Sequence, residues 1–253
     1  MINKEQIQEE QYRFPYHHLT RVTDGDFQQS EHLQWGLMHA SYIYDVTKQV
    51  ELINPNTILD AGCGDGRLVS ELERTLPAAN ITGIDISEQS LHFAKAFSTR
   101  SKFHIHDITA APLDHRFDLC ISIEVIEHIK PDSINSYVKN ISESLSDGGH
   151  LILTTPTENI PTSKKHYQHF TDTKLRNYLE PHFIIKKVVY QNKMNFVYKV
   201  ISRLLANKHF IIKNKAVNNL FYRLYIKYCF DASATNGSRI CVIAQKANIA
   251  TLT

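Results

Sequence analysis

From residue 57 onward, short runs rich in Ile, Val and Leu alternate with longer amphipathic stretches. A chain patterned in this way builds βαβ units on a mostly parallel sheet. Strands are predicted at 57–61, 80–85, 102–106, 117–123, 150–155, 182–190 and 239–244, with helices in the gaps and one more, 31–52, before the first strand. No internal repeat is visible. At 253 residues, 42% apolar and 21% charged, the chain is long enough to bury one large core.

Two segments stand outside the alternation. Residues 1–30 are polar but hold Tyr12, Phe14, Tyr16 and Phe27. They form an arm that acts as a lid over a cleft or packs on the outer sheet, and both readings are open. Residues 192–238 interrupt the last two strands of the 31–253 domain. There Met194, Val197, Ile201, Leu204 and Leu205, then Val217, Leu220, Phe221, Leu224, Tyr225 and Tyr228, recur at helical spacing. Two amphipathic helices follow, separated by a turn at 207–214, with their apolar stripes expected to be core.

Charge is divided unevenly along the chain. Residues 181–230 contain ten Lys or Arg and no Asp or Glu, while the remainder carries 18 bases against 26 acids. The basic part implies an anionic partner: nucleic acid, a phosphorylated substrate or a membrane surface. No apolar run approaches the roughly 18 residues that a membrane span needs. The first twenty residues carry acids and glutamines where a secretory signal places bases and an apolar stretch, so a cytoplasmic location is expected. Four cysteines without a CxxC pair exclude a zinc knuckle and fit a reducing compartment. Among them Cys63 reads as a small packing residue rather than a nucleophile.

The strongest local feature is TILDAGCGDGRLVSEL, where an apolar strand ends in Asp60 and a turn with Gly62, Gly64 and Gly66 opens a helix. Glycines at a strand-to-helix turn let a ligand lie against bare backbone and the positive helix end. The order here is GxGxG after an acid, not the GxGxxG of dinucleotide sites. Twenty-one residues after Gly64 the next strand ends in Asp85, placed to accept hydrogen bonds from ribose hydroxyls. Asp107, in HIHDI, reaches the same rim and can accept from an adenine amino group.

With these motifs, the strand FDLCISIEVIEHI and the segment SLSDGGHLILTTPT, the sequence resembles the class I S-adenosylmethionine-dependent methyltransferases. The resemblance covers about 57–191 and the final strand. It implies an α/β, Rossmann-like sheet of seven strands with an antiparallel last strand, and direct methyl transfer from S-adenosylmethionine. It also implies a cofactor set: Asp60, Gly62 and Gly64 at the methionine end, Asp85 and Ile86 at the ribose, Asp107 and Ile108 at the adenine, with Ile123 beside them.

The fourth strand leads into Ile123-Glu124-Val125-Ile126-Glu127-His128 instead of the Asn/Asp-Pro-Pro run of enzymes that methylate amino groups. Glu124, Glu127 and His128 stand at i, i+3 and i+4, one face of a helix beginning after the strand. With a fourth ligand from His166 or His169, of which the resemblance given next implies His166, they make a candidate site for Mg²⁺, Mn²⁺, Fe²⁺, Co²⁺ or Zn²⁺, which would bind a substrate hydroxyl and lower its pKa. Without metal, His128 or His166 is the candidate general base, and Glu124 is placed nearest the transferred methyl. The EVIEHI run with the later HYQHFT is similar to two groups, small-RNA 2′-O-methyltransferases and ubiquinone-pathway O-methyltransferases. After His128 the RNA enzymes carry a second histidine; this chain has Ile129.

The leading expectation is O-methylation of a small molecule, saccharide or isoprenoid-linked intermediate, with the basic insertion receiving a phosphate or meeting a membrane surface. The alternatives are RNA 2′-O-methylation and a cofactor-binding module that regulates a partner without catalysis.

Overall fold

The computed structural model describes residue 4 and residues 21–23, 26–28, 33–205, 212 and 214–247. In chain order the strands are β1 (Arg21–Thr23), β2 (Asp26–Gln28), β3 (Thr57–Ala61), β4 (Asn80–Asp85), β5 (Lys102–Ile105), β6 (Phe117–Ile123), β7 (Leu145–Pro156), β8 (Phe183–Lys193), β9 (Asp231–Ala232) and β10 (Gly237–Lys246). The helices are α1 (Leu33–Ile53), α2 (Arg67–Thr75), α3 (Glu88–Phe97), α4 (Ile134–Glu143), α5 (Asp172–Leu179), α6 (Phe196–Leu205) and α7 (Lys215–Tyr225). β1 and β2 pair as a hairpin, and the other strands form one sheet in the order β5-β4-β3-β6-β7-β10-β8-β9. β3 to β7 run parallel, whereas β10 lies antiparallel between β7 and β8.

All seven predicted strands are present, and the two-residue β9 adds an eighth at the edge. The apolar runs are continuous because helices cover both faces of the sheet. Leu59, Cys120, Leu151, Leu153, Val242 and Ala244 face α4 and α5 in one core. Their neighbours Ile58, Leu119, Ile121, Ile152, Cys241 and Ile243 face α1, α2 and α3 in the other. Such layering places the carboxyl ends of β3, β4 and β6 on one rim, where ligands of open α/β sheets bind.

The insertion folds as predicted into two helices, α6 and α7, but only part of their apolar stripe is core. Tyr198, Ile201, Leu205, Tyr225 and Cys229 are buried, with Leu37 and Met38 of α1 packed against them. Met194, Phe196, Val200, Leu220 and Tyr228 are exposed. Of the predicted turn, residues 207–211 and 213 lie outside the described residues, as do Tyr12, Phe14, Tyr16 and His17 of the arm. All four cysteines are buried and unbridged.

One carboxylate ties the loop before β5 to α2. Glu73 accepts hydrogen bonds from the backbone amides of Arg100 (3.0 Å) and Ser101 (2.7 Å) and from the Ser98 and Ser101 hydroxyls. Burial alone would raise its pKa from the ordinary 4.5, but the hydrogen bonds from Ser101, Ser98 and the amides outweigh this and hold it at about 2. A folded-state value below the unfolded one stabilises the fold above pH 4.5, and that stabilisation disappears as pH falls through 2. Glu73→Gln is therefore expected to cost about 1–3 kcal/mol at neutral pH. In chemical denaturation, the gap from wild type should narrow steadily as pH drops from 4.5 toward 2.

Candidate active site

The strand-to-helix turn after β3 is held by backbone geometry. The Gly62 and Cys63 amides donate to the Ile84 carbonyl at 2.8 and 2.9 Å. Gly62 has φ +83°, and a Cβ there would lie 2.4 Å from Val125 Cγ2, so only glycine lets this turn close against the segment after β6. α2 then opens at Gly66, which has no side chain to cap its first amides. Two adjoining cavities lie over the turn. One, of about 430 Å³, has Asp85, Ile86, Asp107 and Ile108 in its wall. The other, of about 340 Å³, has Asp60, Gly64, Ile123, Glu127, His166 and Arg239. Gly62, Glu124, His128 and Lys165 border both.

The three rim acids differ in their surroundings. Asp85 accepts from the Gly64 amide through Oδ2 and the Ser87 amide through Oδ1, both at 2.9 Å. Asp107 Oδ1 accepts from the Thr109 amide and hydroxyl, so it also caps a turn. Asp60 is buried, and its Oδ2 has no hydrogen-bonding partner among the described residues. Burial, with the nearby Asp85 charge, raises its pKa to about 7. Burial likewise pushes the Cys63 thiol well up, which removes its nucleophilic character.

The expected helical face of Glu124, Glu127 and His128 does not form. Glu124 adopts φ +55°, in the left-handed region, and a single 3₁₀ turn follows at Ile126–His128. Its carboxylate is turned to Arg239 of β10, which donates from Nε to Oε1 at 2.9 Å and from Nη2 to Oε2 at 2.7 Å. Thr154 Oγ1 also donates to Oε1. Burial would raise the Glu124 pKa, but the charge and hydrogen bonds of Arg239 outweigh it and hold the group below the carboxylate range. Of the expected set Glu124, Glu127, His128 and His166, Glu124 is thus engaged as the anion of a bidentate ion pair.

The other three members do meet. One donor atom from each of Glu127, His128 and His166 lies within 4.8 Å of the others. Burial, reinforced by the Glu124 charge, drives the Glu127 pKa well up, and Oε1 has no hydrogen-bonding partner among the described residues. Burial lowers His128 to about 4 and His166 to about 3, so both imidazoles are neutral near pH 7. Their tautomers follow from the acceptors around them. His169 Nδ1 faces the Thr157 and Ile160 carbonyls, both at 3.1 Å, and so carries a proton, and in the neutral tautomer His169 Nε2 is an acceptor. His166 Nδ1 lies 2.8 Å from it and therefore carries the proton, so His166 Nε2 keeps its lone pair. His128 Nδ1 likewise faces the Lys165 carbonyl at 3.3 Å.

Two residues here escaped sequence reading. Arg239 is one; its Nη1 has no partner among the described residues, and its guanidinium stacks 4.0 Å from the Tyr42 ring. The other is Lys4, whose ammonium reaches the carbonyls of Lys164 and His166 and lies over the Tyr167 ring. Both contacts span more than a hundred residues, and no local motif announces either. An arginine directly before the apolar run of the last strand was the sole available sign.

Residues 58–149 match a family model described as a methyltransferase domain. A probable S-adenosyl-L-methionine-dependent methyltransferase, TehB from Haemophilus influenzae, is 26% identical over 140 residues, 53% of this chain and 48% of that protein. A ubiquinone biosynthesis O-methyltransferase from Hydrogenovibrio crunogenus is 33% identical over 120 residues, 44% of this chain and 47% of its own length. This chain spans about half the length of these curated relatives. Among solved structures, magnesium protoporphyrin IX methyltransferase from Synechocystis with bound S-adenosylmethionine superposes with TM-score 0.61 and 15% identity, covering 98% of this chain and 99% of that one. Residues 58–149 thus match a methyltransferase domain, and the sheet that carries the glycine turn has the fold of the S-adenosylmethionine-bound methyltransferase structure.

The Arg239–Glu124 pair is 10% and 22% exposed, so removing one partner leaves the other charge buried and unpaired. Arg239→Leu is expected to lower unfolding free energy by about 3–5 kcal/mol. Adding Glu124→Gln should restore a large part of that loss in a denaturant series. Simple additivity of the two losses would show that the pair contributes nothing.

Proposed function

We propose that the protein methylates a hydroxyl group of a small acceptor seated in the Arg239-lined cavity, assisted by a divalent ion. The observation that carries this reading is the Glu127–His128–His166 cluster: a buried carboxylate oxygen without a partner beside two neutral imidazoles, all within 4.8 Å. Two nitrogens and one carboxylate favour borderline ions, Zn²⁺, Fe²⁺, Co²⁺ or Mn²⁺, over Mg²⁺. When bound, such an ion would lower the pKa of a coordinated hydroxyl. His169 positions His166 by fixing its tautomer, and Tyr167 donates its amide to the Glu127 carbonyl at 2.8 Å. The ubiquinone-pathway relative is named as an O-methyltransferase, which supports the same acceptor atom.

S-Adenosylmethionine fits the glycine-turn cavities. It supplies a methyl group already activated on a sulfonium. In this reading the unpartnered Asp60 carboxylate takes the cationic amino acid end, Gly62 and Gly64 offer bare backbone to the methionine chain, and Asp85 with Ile86 holds the ribose. Asp107, Ile108 and Ile123 border the adenine and methyl regions. Reaction then depends on alignment of the hydroxyl with the carbon–sulfur axis and on loss of its proton.

The acceptor reading is tested with labelled S-adenosylmethionine and a panel of catechols and sugar hydroxyls, after chelation and after return of each ion. Methyl incorporation should fall on chelation and recover with Zn²⁺, Fe²⁺, Co²⁺ or Mn²⁺. Label appearing in amines alone, or turnover indifferent to chelator, would sink it. His169→Ala should weaken ion binding by about 10–100-fold while leaving the three donor residues in place, as read by equilibrium dialysis.

Asp60 sets a pH dependence. The anion binds the cationic end of the donor, so donor affinity should decline as pH falls through about 7, near tenfold per unit below it. The donor's own α-ammonium loses its proton at about pH 8, which limits affinity on the alkaline side. Asp60→Asn should abolish the acid limb in calorimetric titration; an unchanged profile would dismiss the assignment.

A further inference from the structure

The segment from 181 to 230 carries ten basic residues and no acidic one, and its two helices leave a large part of their surface uncovered. On α6 the exposed positions are Phe196, Lys199, Val200 and Arg203, spaced i, i+3, i+4 and i+7, so they form one stripe opposite the buried Tyr198, Ile201 and Leu205. On α7 Leu220 and Arg223 are exposed, with Lys227 and Tyr228 in the turn that continues it. Phe196 is 79% exposed, Leu220 53% and Met194, just before α6, 48%. Neighbouring large apolar side chains such as Phe196 and Val200, exposed on one helical stripe, mark an interaction surface.

We propose that this face rests on an anionic bilayer surface, with Phe196, Val200, Leu220 and Met194 entering the headgroup boundary and Lys199, Arg203, Arg223 and Lys227 meeting lipid phosphates. This goes beyond the reaction and does not depend on the acceptor. The helices have 10 and 11 residues, half the length of a membrane span, so they lie on the surface rather than cross it. Interleaved bases and apolar residues are the chemistry of interfacial helices. A second copy of the same face would oppose like charges, and a nucleic acid would leave Phe196 and Leu220 without a role. The buried side of the same helices approaches the site. Leu37 and Met38 of α1 pack on the α6–α7 cluster, and His39 and Tyr42 of the same helix border the Arg239 cavity.

Cosedimentation of the full chain with phosphatidylcholine vesicles, with and without about one-third phosphatidylglycerol, tests the proposal. Binding is expected only to the anionic vesicles and should weaken as salt rises. The pair Lys199→Glu/Arg203→Glu and, separately, Phe196→Ser/Leu220→Ser should each reduce partitioning at least about tenfold, with thermal unfolding unchanged. Either set leaving binding intact would overturn the proposal, as would equal binding to neutral vesicles or none to either. Salt-sensitive binding to a single-stranded RNA oligonucleotide, without vesicle binding, would transfer the surface to nucleic acid.

Discussion

Buried charge must be paired, neutralised or supplied with a ligand, and the rim of this sheet uses all three solutions within one site. Glu124 is paired: Arg239 reaches it through two hydrogen bonds, and the pair is neutral as a unit. Glu127 is neutralised, because burial and the adjacent Glu124 charge both favour its protonated form. Asp60 lies between, with its pKa brought to about 7 and one oxygen unclaimed. The three carboxylates therefore differ in charge by construction. Only Asp60 and Glu127 retain an oxygen that a ligand can satisfy, and they lie in the wall of the same cavity.

The left-handed backbone at Glu124 belongs to this arrangement. A non-glycine residue there costs roughly 1–2 kcal/mol, and in this conformation its carboxylate receives both hydrogen bonds from Arg239. The same reversal ends β6 abruptly and lets Val125 settle over Gly62. One strained residue thus couples the glycine turn, the ion pair and the 3₁₀ turn that presents Glu127 and His128. The neutral imidazoles complete the balance, since burial disfavours a charged His128 or His166 and the Lys165 charge adds to it.

Much of this was legible in the sequence. Strand positions followed from apolar runs, and acids at the ends of β3 and β4 followed from the register at which those runs stop. The position of Asp85 at the end of β4 follows from spacing because a parallel neighbour ends at the same rim. Glu127, His128 and His166 were recognisable as possible ligands from residue type and order. What failed was Glu124, where helical spacing assumes a helix that the left-handed residue prevents. Arg239 was illegible for a different reason: it stands 115 residues from its partner, and only the antiparallel insertion of β10 beside β7 brings the two together. The apolar stripe of the insertion was readable as amphipathic, but periodicity alone does not tell which apolar residues find a partner.

α1 connects these parts. Met38 accepts a hydrogen bond from the Tyr198 hydroxyl of α6 at 3.0 Å, Tyr42 lies against the Arg239 guanidinium at 4.0 Å, and Asp45 accepts from Gln191 of β8 at 2.8 Å. These positions are spaced i, i+4 and i+7, so a single helical face meets the insertion, the ion pair and the sheet in turn. The α6 contact at Met38 and the Arg239 contact at Tyr42 therefore lie about one turn apart on the same helix. Because Arg239 also fixes Glu124, the geometry of the cavity and the seating of the basic helices share one mechanical element.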